Sequence, residues 1–451
     1  MNQNEQQEQK FIRLTQAPIP SLISSLAIPT IISMLITSFY NMADTFFVGK
    51  INTSATAAVG VVFSLMAIIQ ALGFGFGHGS GNYISRNLGR HDTENASRMA
   101  ATGFFSALIA GLFLTILGNI FIDPLVRFLG ATETIFPYAK DYTRFILIGA
   151  PYMTASLVLN NQLRFQGSAF YGMIGIGAGA VINIILDPIF IFVLDMGTAG
   201  AGLATILSQF VSFCLLLYGC TKGGNIRLNI KDFTPCVKFY KEILKGGLPS
   251  LLRQALGSVA SISLNVMARA YGDAAIAAMS VVSRVTMFAS SALIGFGQGF
   301  QPVCGFNYGA GLYNRVKEGF WFCIKVSTGF LFAFAIAGYI FAPNIIRLFT
   351  KNDVQVIQMG ITALRLQCLT FPFNGLIVLS NMMMQTIGDS GKASILAMAR
   401  QGLFFLPLVF IMPCFYGILG IQLSQPISDI ATFILTIPMT LVVLKKMKNN
   451  D

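Results

Sequence analysis

Two carboxylates interrupt stretches that are otherwise apolar: Asp44 in "YNMADTFFVG" (residues 40–49) and Asp187 in "NIILDPIF" (residues 183–190). Holding an ionised side chain at the middle of a membrane-spanning helix costs about 2.5–3.5 kcal/mol on insertion scales, so such residues mark function by default. Asn183 stands four residues before Asp187, hence on the same helix face, and Thr205 in "GLATILSQF" follows in the next apolar stretch. At 1.5 Å of rise per residue, Asp44 lies roughly 9 Å, Asp187 roughly 12 Å and Thr205 roughly 10 Å from the loops on one membrane face. Two carboxylates, an amide and a hydroxyl at a common depth form an all-oxygen set suited to a hard cation such as Na+. The same pair can instead hold a proton, because protonation relieves two like charges in a low-dielectric site. The expected coupling ion is H+ or Na+, with no other cofactor. The structural alternative for each aspartate is a bond to a neighbouring hydroxyl or a free backbone group, and for Thr205 a bond to its own helix backbone.

Pro29 precedes Asp44 on the same stretch and Pro188 directly follows Asp187. Each removes a backbone donor and frees a carbonyl one turn earlier, so both mark places where these helices can bend. Arg253, Arg269, Arg284, Arg365, Arg400 and Asp429 fall in or near apolar stretches of the second half. They read either as substrate contacts or as interhelical ion pairs and snorkelling side chains. Met383, in "NMMMQ" (residues 381–385), points weakly to an adaptable cavity for flat apolar cations. "GFGFGHGSG" superficially matches a phosphate loop, but no strand precedes it, and small residues in a spanning helix permit close packing.

The elements that must position these groups follow from composition. The chain has 451 residues, 54% of them hydrophobic and only 11% charged, with a mean hydropathy of +0.69, whereas soluble domains run near ~25% charged. The chain therefore folds in a bilayer. The net charge of +12 is spread between apolar segments, which is a topology signal rather than a nucleic-acid stripe. Seven cysteines without CxxC spacing and only two histidines support neither a disulfide framework nor a zinc site. No basic-then-apolar leader with a small-residue cleavage site opens the chain.

A crossing needs about 20 predominantly apolar residues. Twelve stretches qualify, near 22–47, 56–83, 98–121, 138–162, 169–193, 199–219, 247–271, 276–304, 318–342, 356–380, 393–414 and 418–444. With both termini cytoplasmic, the inner segments hold Lys10, Arg13, Arg86, Arg90, Arg98, Arg164, six basic residues from Lys222 to Lys245, Arg315, Lys317, Lys392, Lys445, Lys446 and Lys448. The outer segments hold Lys50, Arg127, Lys140, Arg144, Arg347 and Lys351. This positive-inside asymmetry sets the orientation in the cytoplasmic membrane.

The expected organisation is a cytoplasmic tail (1–21), an N-lobe of six helices (22–220), a cytoplasmic linker (221–245), a C-lobe of six helices (246–444) and a second cytoplasmic tail (445–451). The halves repeat at an offset of about 220 residues: "GFGFGHGSGNYISRNLG" (73–89) answers "GFGQGFQPVCGFNYGAG" (295–311), and "LNNQLRFQG" (159–167) answers "SNMMMQTIG" (380–388). In this register Asp44 falls opposite the region of Leu264 and Asp187 opposite Leu406, so the fold itself does not demand the carboxylates. Parallel repeats related by an axis along the membrane normal favour a central cavity and rocking of one half against the other.

"NMADTFFVG" with Pro29 upstream, "SRNLGR", "LNNQLRFQG", "NIILDPIF" and "GFGQGFQPVCGFNYGAG", in that order over nearly the whole chain, resemble the MATE (multidrug and toxic compound extrusion) family, in its DinF-like and MepA-like prokaryotic branch. The resemblance implies an all-α polytopic protein: twelve transmembrane helices in two six-helix bundles, V-shaped around a central cavity. It implies a secondary antiporter that exports amphiphilic, often cationic drugs against H+ or Na+, acting as a monomer. It also implies a cation site at Asp44, Asn183, Asp187 and Thr205, bending at Pro29, and substrate-proximal positions at Tyr40 and Asn160. The acidic residues of NorM-like second lobes are not evident, although Asp429 leaves that lobe open. The alternative is a flippase of lipids or lipid-linked oligosaccharides, which would favour a strongly basic cavity, whereas the embedded arginines look scattered. A polytopic enzyme would need a nucleophile with a base or a clustered metal-binding set, and neither pattern occurs.

Overall fold

A computed structural model describes residues 3–349 and 353–447. Lys351 and the tail positions 448–451 lie outside the described residues. The described residues are almost wholly helical: α1 (Gln3–Gln16), α2 (Ile19–Gly49), α3 (Thr53–Gly89), α4 (Thr93–Ile120), α5 (Ile122–Phe128), α6 (Phe136–Phe165), α7 (Ala169–Pro188), α8 (Gly197–Cys220), α9 (Val237–Arg269), α10 (Asp273–Gly309), α11 (Tyr313–Ile340), α12 (Ala342–Phe349), α13 (Val354–Ile387), α14 (Ser390–Met398), α15 (Leu406–Tyr416) and α16 (Ile418–Lys446). Wider turns of π-helix at Ile189–Val193 and Ala399–Phe405 extend α7 and join α14 to α15.

Local chemistry sets the helix starts. The Asn52 side chain accepts the Ala55 amide at 2.6 Å, Asp92 accepts that of Asn95 at 3.1 Å, and Asp353 accepts those of Gln355 and Val356, each satisfying amides that a first turn leaves bare. On α4 the side chains of Ile109, Leu112, Phe113, Ile116 and Ile120 are exposed at helical spacing, the stripe that a helix presents to acyl chains.

Eleven helical segments among the described residues are long and apolar enough to cross a membrane. The seventh expected crossing is α9, a 33-residue helix whose Lys238, Lys241, Glu242, Lys245, Arg253 and Arg269 lower its apolarity below that of the others. Matching lengths display the repeat: α3 and α10 each have 37 residues and α4 and α11 each have 28, and each of the latter is followed by a short helix.

The two halves are welded at one end. A core at the face where the chain ends meet draws Leu14, Ile19, Leu22, Ile23 and Leu26 from the first half and Phe300, Phe320, Val443 and Met447 from the second. There α3 lies so close to α9 that a Cβ placed on Gly246 would sit 3.0 Å from the Gly79 Cα. Arg86 on α3 reaches across to the Thr386 carbonyl at 2.6 Å and to Glu242 at 3.6 Å. At the other end the cores are separate: Val48, Val62, Ile146 and Ile191 pack in the first half, and Val285, Ile346, Leu364 and Ile421 in the second. Two bundles joined at one end and independent at the other make the V with its central cleft.

Two expected segments carry more structure than their description implies. Within the expected tail, Gln3–Gln16 form α1, which is docked: the Asn307 amide donates to the Leu14 carbonyl at 2.9 Å, Arg315 donates to the Ala17 carbonyl at 2.6 Å, and Leu14 is buried. On the other half, Lys10 Nζ donates to Asn225 at 2.6 Å and to Ser168 at 3.0 Å. The interval 221–245 is a linker only as far as Cys236, beyond which α9 begins. Three of its six basic residues, Lys238, Lys241 and Lys245, belong to the first turns of this helix, which enters the second bundle.

Candidate functional site: a two-carboxylate cluster in the first bundle

α2, α7, α8 and α6 enclose the first-half cluster, with α2 packed along α7, and α6 and α7 along α8. Asp44 lies near the end of α2, Asn183 and Asp187 one turn apart on α7, and Thr205 in the middle of α8. Asn183, Asp187 and Thr205 are wholly buried and Asp44 is 8% exposed. The two carboxylates lie within electrostatic range of each other, so the fold unites four groups spread over 162 positions of sequence.

What distinguishes the cluster is its surplus of acceptors. Asn183 Nδ2 donates to Asp187 Oδ1 at 3.4 Å, and Thr205 Oγ1 donates to the Ala201 carbonyl of its own helix at 3.0 Å. Asp44 Oδ1, Asp187 Oδ2 and Asn183 Oδ1 are buried with no hydrogen-bond partner. Leaving one buried polar group unsatisfied costs about 1–3 kcal/mol, more for a charged one. Such an arrangement fits a proton or a hard cation, either of which uses bare oxygen lone pairs and cancels charge. No group of three or more His, Cys, Asp or Glu suited to a metal occurs among the described residues.

Tyr40 belongs to this cluster rather than to an open cavity wall: it is buried, within range of both aspartates, and faces Thr205 and Gln209. Tyr142 on α6 was missed by sequence reasoning. It is fully buried near Thr205 and both carboxylates, with a partnerless hydroxyl. Its only sequence signal is a phenol inside an apolar span. Pro29 lies within an unbroken α2, and Pro188 stands where the α-helix widens into the π-turn beside Asp187.

The family model MatE matches the chain twice, over residues 29–189 and 249–411. This chain belongs to the MATE family. Among its relatives, the multidrug export protein MepA of Staphylococcus haemolyticus (strain JCSC1435) is 27% identical over 424 residues, covering 94% of this chain and 93% of that one. MepA of Staphylococcus aureus (strain MSSA476) is 27% identical over 428 residues, with the same coverage. Among solved structures, the outward-facing conformation of a multidrug resistance MATE family transporter of the MOP superfamily aligns with a TM-score of 0.91 at 28% identity, over 97% of this chain and 98% of that one. A MOP superfamily transporter from Pyrococcus furiosus Vc1 (DSM3638), described by the reverse polarity of its binding pocket, aligns with a TM-score of 0.90 at 29% identity, over 97% and 98%. As a MATE protein the chain is a multi-pass membrane transporter of small molecules and not an enzyme.

The remaining sequence candidates disperse within this MATE fold. Met383 is fully buried among Leu14, Phe300 and Phe320 at the weld; it is core, not cavity lining, because apolar side chains from both halves close over it. Half-buried Asn160 turns its Oδ1 against Gly172 of α7. Asp429 is fully buried on α16 and satisfied from five directions: Arg400 Nε at 2.8 Å, Gln425 at 2.8 Å, Gln367 at 3.0 Å, Thr370 at 3.3 Å and Asn374 at 3.5 Å. The acid itself is enclosed, whereas its partners Gln367, Arg400 and Gln425 line a second-lobe cavity of about 220 Å³. The two lobes thus treat their acids oppositely: the second supplies a cation and four neutral donors, and the first leaves bare oxygens. Nor are the embedded arginines all scattered, since Arg253 lies near Arg164 of the first lobe.

Proposed function

We propose that this protein exports amphiphilic organic cations across the cytoplasmic membrane by alternating access, driven by H+ or Na+ entering at Asp44, Asn183, Asp187 and Thr205. The observation that carries this reading is the set of partnerless oxygens on Asp44, Asn183 and Asp187, three of the four groups in one buried cluster. An entering cation cancels one of the cluster's two negative charges and changes the packing of α2 against α7, which rebalances the two orientations of the lobes; an ion shifts such an equilibrium only by its differential affinity for the two states. With the termini cytoplasmic, the weld closes the cytoplasmic side and the cleft opens outward, the orientation described for the solved multidrug transporter. The MepA relatives are named as multidrug exporters, which supports drug-like cargo.

The test is ethidium efflux in inverted vesicles under separately imposed proton and sodium gradients. Asp187→Asn and Asp44→Asn are expected to insert normally and to lose gradient-driven efflux, and the ion whose gradient drives the wild type is the coupling ion. Full efflux by either variant rules out the proposed site.

A further inference from the structure

Beside the weld a second polar cluster gathers cations instead of acids. Arg164, the penultimate residue of α6, is 2% exposed. Its Nη2 donates both to Asn161 Oδ1 at 2.6 Å and to His78 Nε2 at 3.1 Å, and its Nε is buried with no partner. His78 Nδ1 lies 3.1 Å from the Phe74 carbonyl, which fixes the proton on that nitrogen and leaves Nε2 to accept from Arg164. This histidine therefore carries no compensating charge. From the other lobe, the half-buried Arg253 on α9 donates to Asn381 Oδ1 on α13 at 3.3 Å. It lies within electrostatic range of both Arg164 and His78.

No ion pair joins Arg164 or Arg253 to a carboxylate among the described residues. Two other arginines of the helices are compensated: Arg86 meets Glu242 at 3.6 Å and Arg400 meets Asp429 at 2.8 Å. Two guanidiniums brought together in a medium of low dielectric repel each other, and each carries N–H donors in a planar fork that matches a carboxylate or a phosphate. Arg253 stands seven residues along α9 from Gly246, at the lobe contact, hence roughly 10 Å toward the open end of the V. Its side chain is half-buried there.

We propose that Arg253, backed by Arg164 at the floor of the cleft, binds the anionic group of an amphiphilic cargo, a carboxylate or a phosphate. The site deepens the export reading by naming a cargo class, and it rests on that reading only in taking the cleft as the cargo's route. A cargo that is cationic at one end and carries a carboxylate or phosphate at the other would rest its anion on these guanidiniums, so such zwitterionic amphiphiles join the simple cations as cargo.

The test measures binding in purified full-length protein, without any ion gradient, so it reads this site whether or not export depends on Asp44 and Asp187. The probe is 11-(dansylamino)undecanoate, whose fluorescence rises on burial, compared with its methyl ester. The wild type should bind the carboxylate at least tenfold more tightly than the ester. Arg253→Gln should erase that preference while changing ester affinity less than twofold, and Arg253→Lys should keep part of it. Displacement by dodecyl phosphate and not by inorganic phosphate identifies a headgroup-bearing cargo; displacement by both identifies a site for the anion alone. Equal affinity of the wild type for acid and ester, or a preference that survives Arg253→Gln, overturns the proposal, and the first of these needs no variant to fold.

Discussion

The weld between the lobes depends on the absence of side chains at a few positions, and Gly247 makes this measurable. A Cβ at Gly247 would collide with the Gly75 carbonyl oxygen and stand 2.9 Å from its carbonyl carbon and 3.1 Å from its Cα. Comfortable carbon contacts lie near 3.5–4.0 Å, and backbone atoms cannot rotate away, so α3 and α9 would have to part by about 1 Å. Overpacking of this kind costs about 1–3 kcal/mol, which corresponds to a roughly 5- to 150-fold change in the ratio of welded to opened forms. Alanine also favours helix by about 0.5–1 kcal/mol over glycine, and that contribution must be removed. Gly257 on the same helix provides the reference, because nothing lies within 4 Å of a Cβ placed there. Comparing Gly247→Ala with Gly257→Ala therefore isolates the collision. The assay is peptide-resolved maleimide labelling of Cys304, which is buried in the weld, against the exposed Cys214 and Cys414. Cys304 in Gly247→Ala is expected to label at least fivefold faster than in Gly257→Ala, with the reference cysteines unchanged. Equal Cys304 rates in the two variants would refute the claim that glycine contacts hold the lobes closed at this end.

Other expectations follow from the same contacts. Removing Arg400 while Asp429 stays leaves a fully buried acid short of its cation, at a cost of about 3–5 kcal/mol; in detergent Arg400→Met should melt well below the wild type, and Arg400→Met combined with Asp429→Leu should recover much of the loss. Asp187→Asn, which sacrifices no incoming cation, should leave the melting temperature unchanged or raised. Burial, with the charge of Arg13 beside it, lowers the Lys10 pKa from 10.5 to about 7. Undocked α1 therefore holds more protons than docked α1 above about pH 7, so docking strengthens as pH rises, at most tenfold per unit, and levels off near the ordinary lysine value. A nitroxide at Gln9 should show a growing immobile fraction between pH 7 and 9, and Lys10→Met should flatten that dependence; a flat profile in the wild type contradicts it. Arg86→Gln removes both the bond to Thr386 and the pair with Glu242, and should accelerate Cys304 labelling without altering the reference cysteines.

Much of the architecture was legible from local pattern. Apolar runs and the repeat of "GFGFGHGSGNYISRNLG" in "GFGQGFQPVCGFNYGAG" located the helices and their correspondence between the halves. Asp44 and Asp187 stood out for the same reason: a charge in an apolar run is conspicuous without knowledge of its neighbours. The seventh crossing, read at 247–271, falls on the longer helix α9 (Val237–Arg269), which joins a charged entry to the apolar stretch. The docking of α1 was not legible because its polar residues hide one contact face, on which Leu14 packs and Lys10 bonds to Ser168 and Asn225.

Sequence by itself determined that this chain folds in a bilayer, that it is built twice over, and which carboxylates are expensive to bury. Those properties are sums over neighbouring residues, since transfer into lipid is decided segment by segment. Only the tertiary structure decided which charges are answered. Asp429 and Asp187 look alike in sequence, yet one receives a guanidinium and four further donors while the other keeps a bare oxygen. Likewise Arg164, a loop-proximal residue in sequence, and Arg253 become neighbours only when the two bundles close. The physical reason is range: the desolvation cost of a charge is carried by its own segment, whereas its compensation comes from side chains tens or hundreds of residues away that packing alone brings within reach.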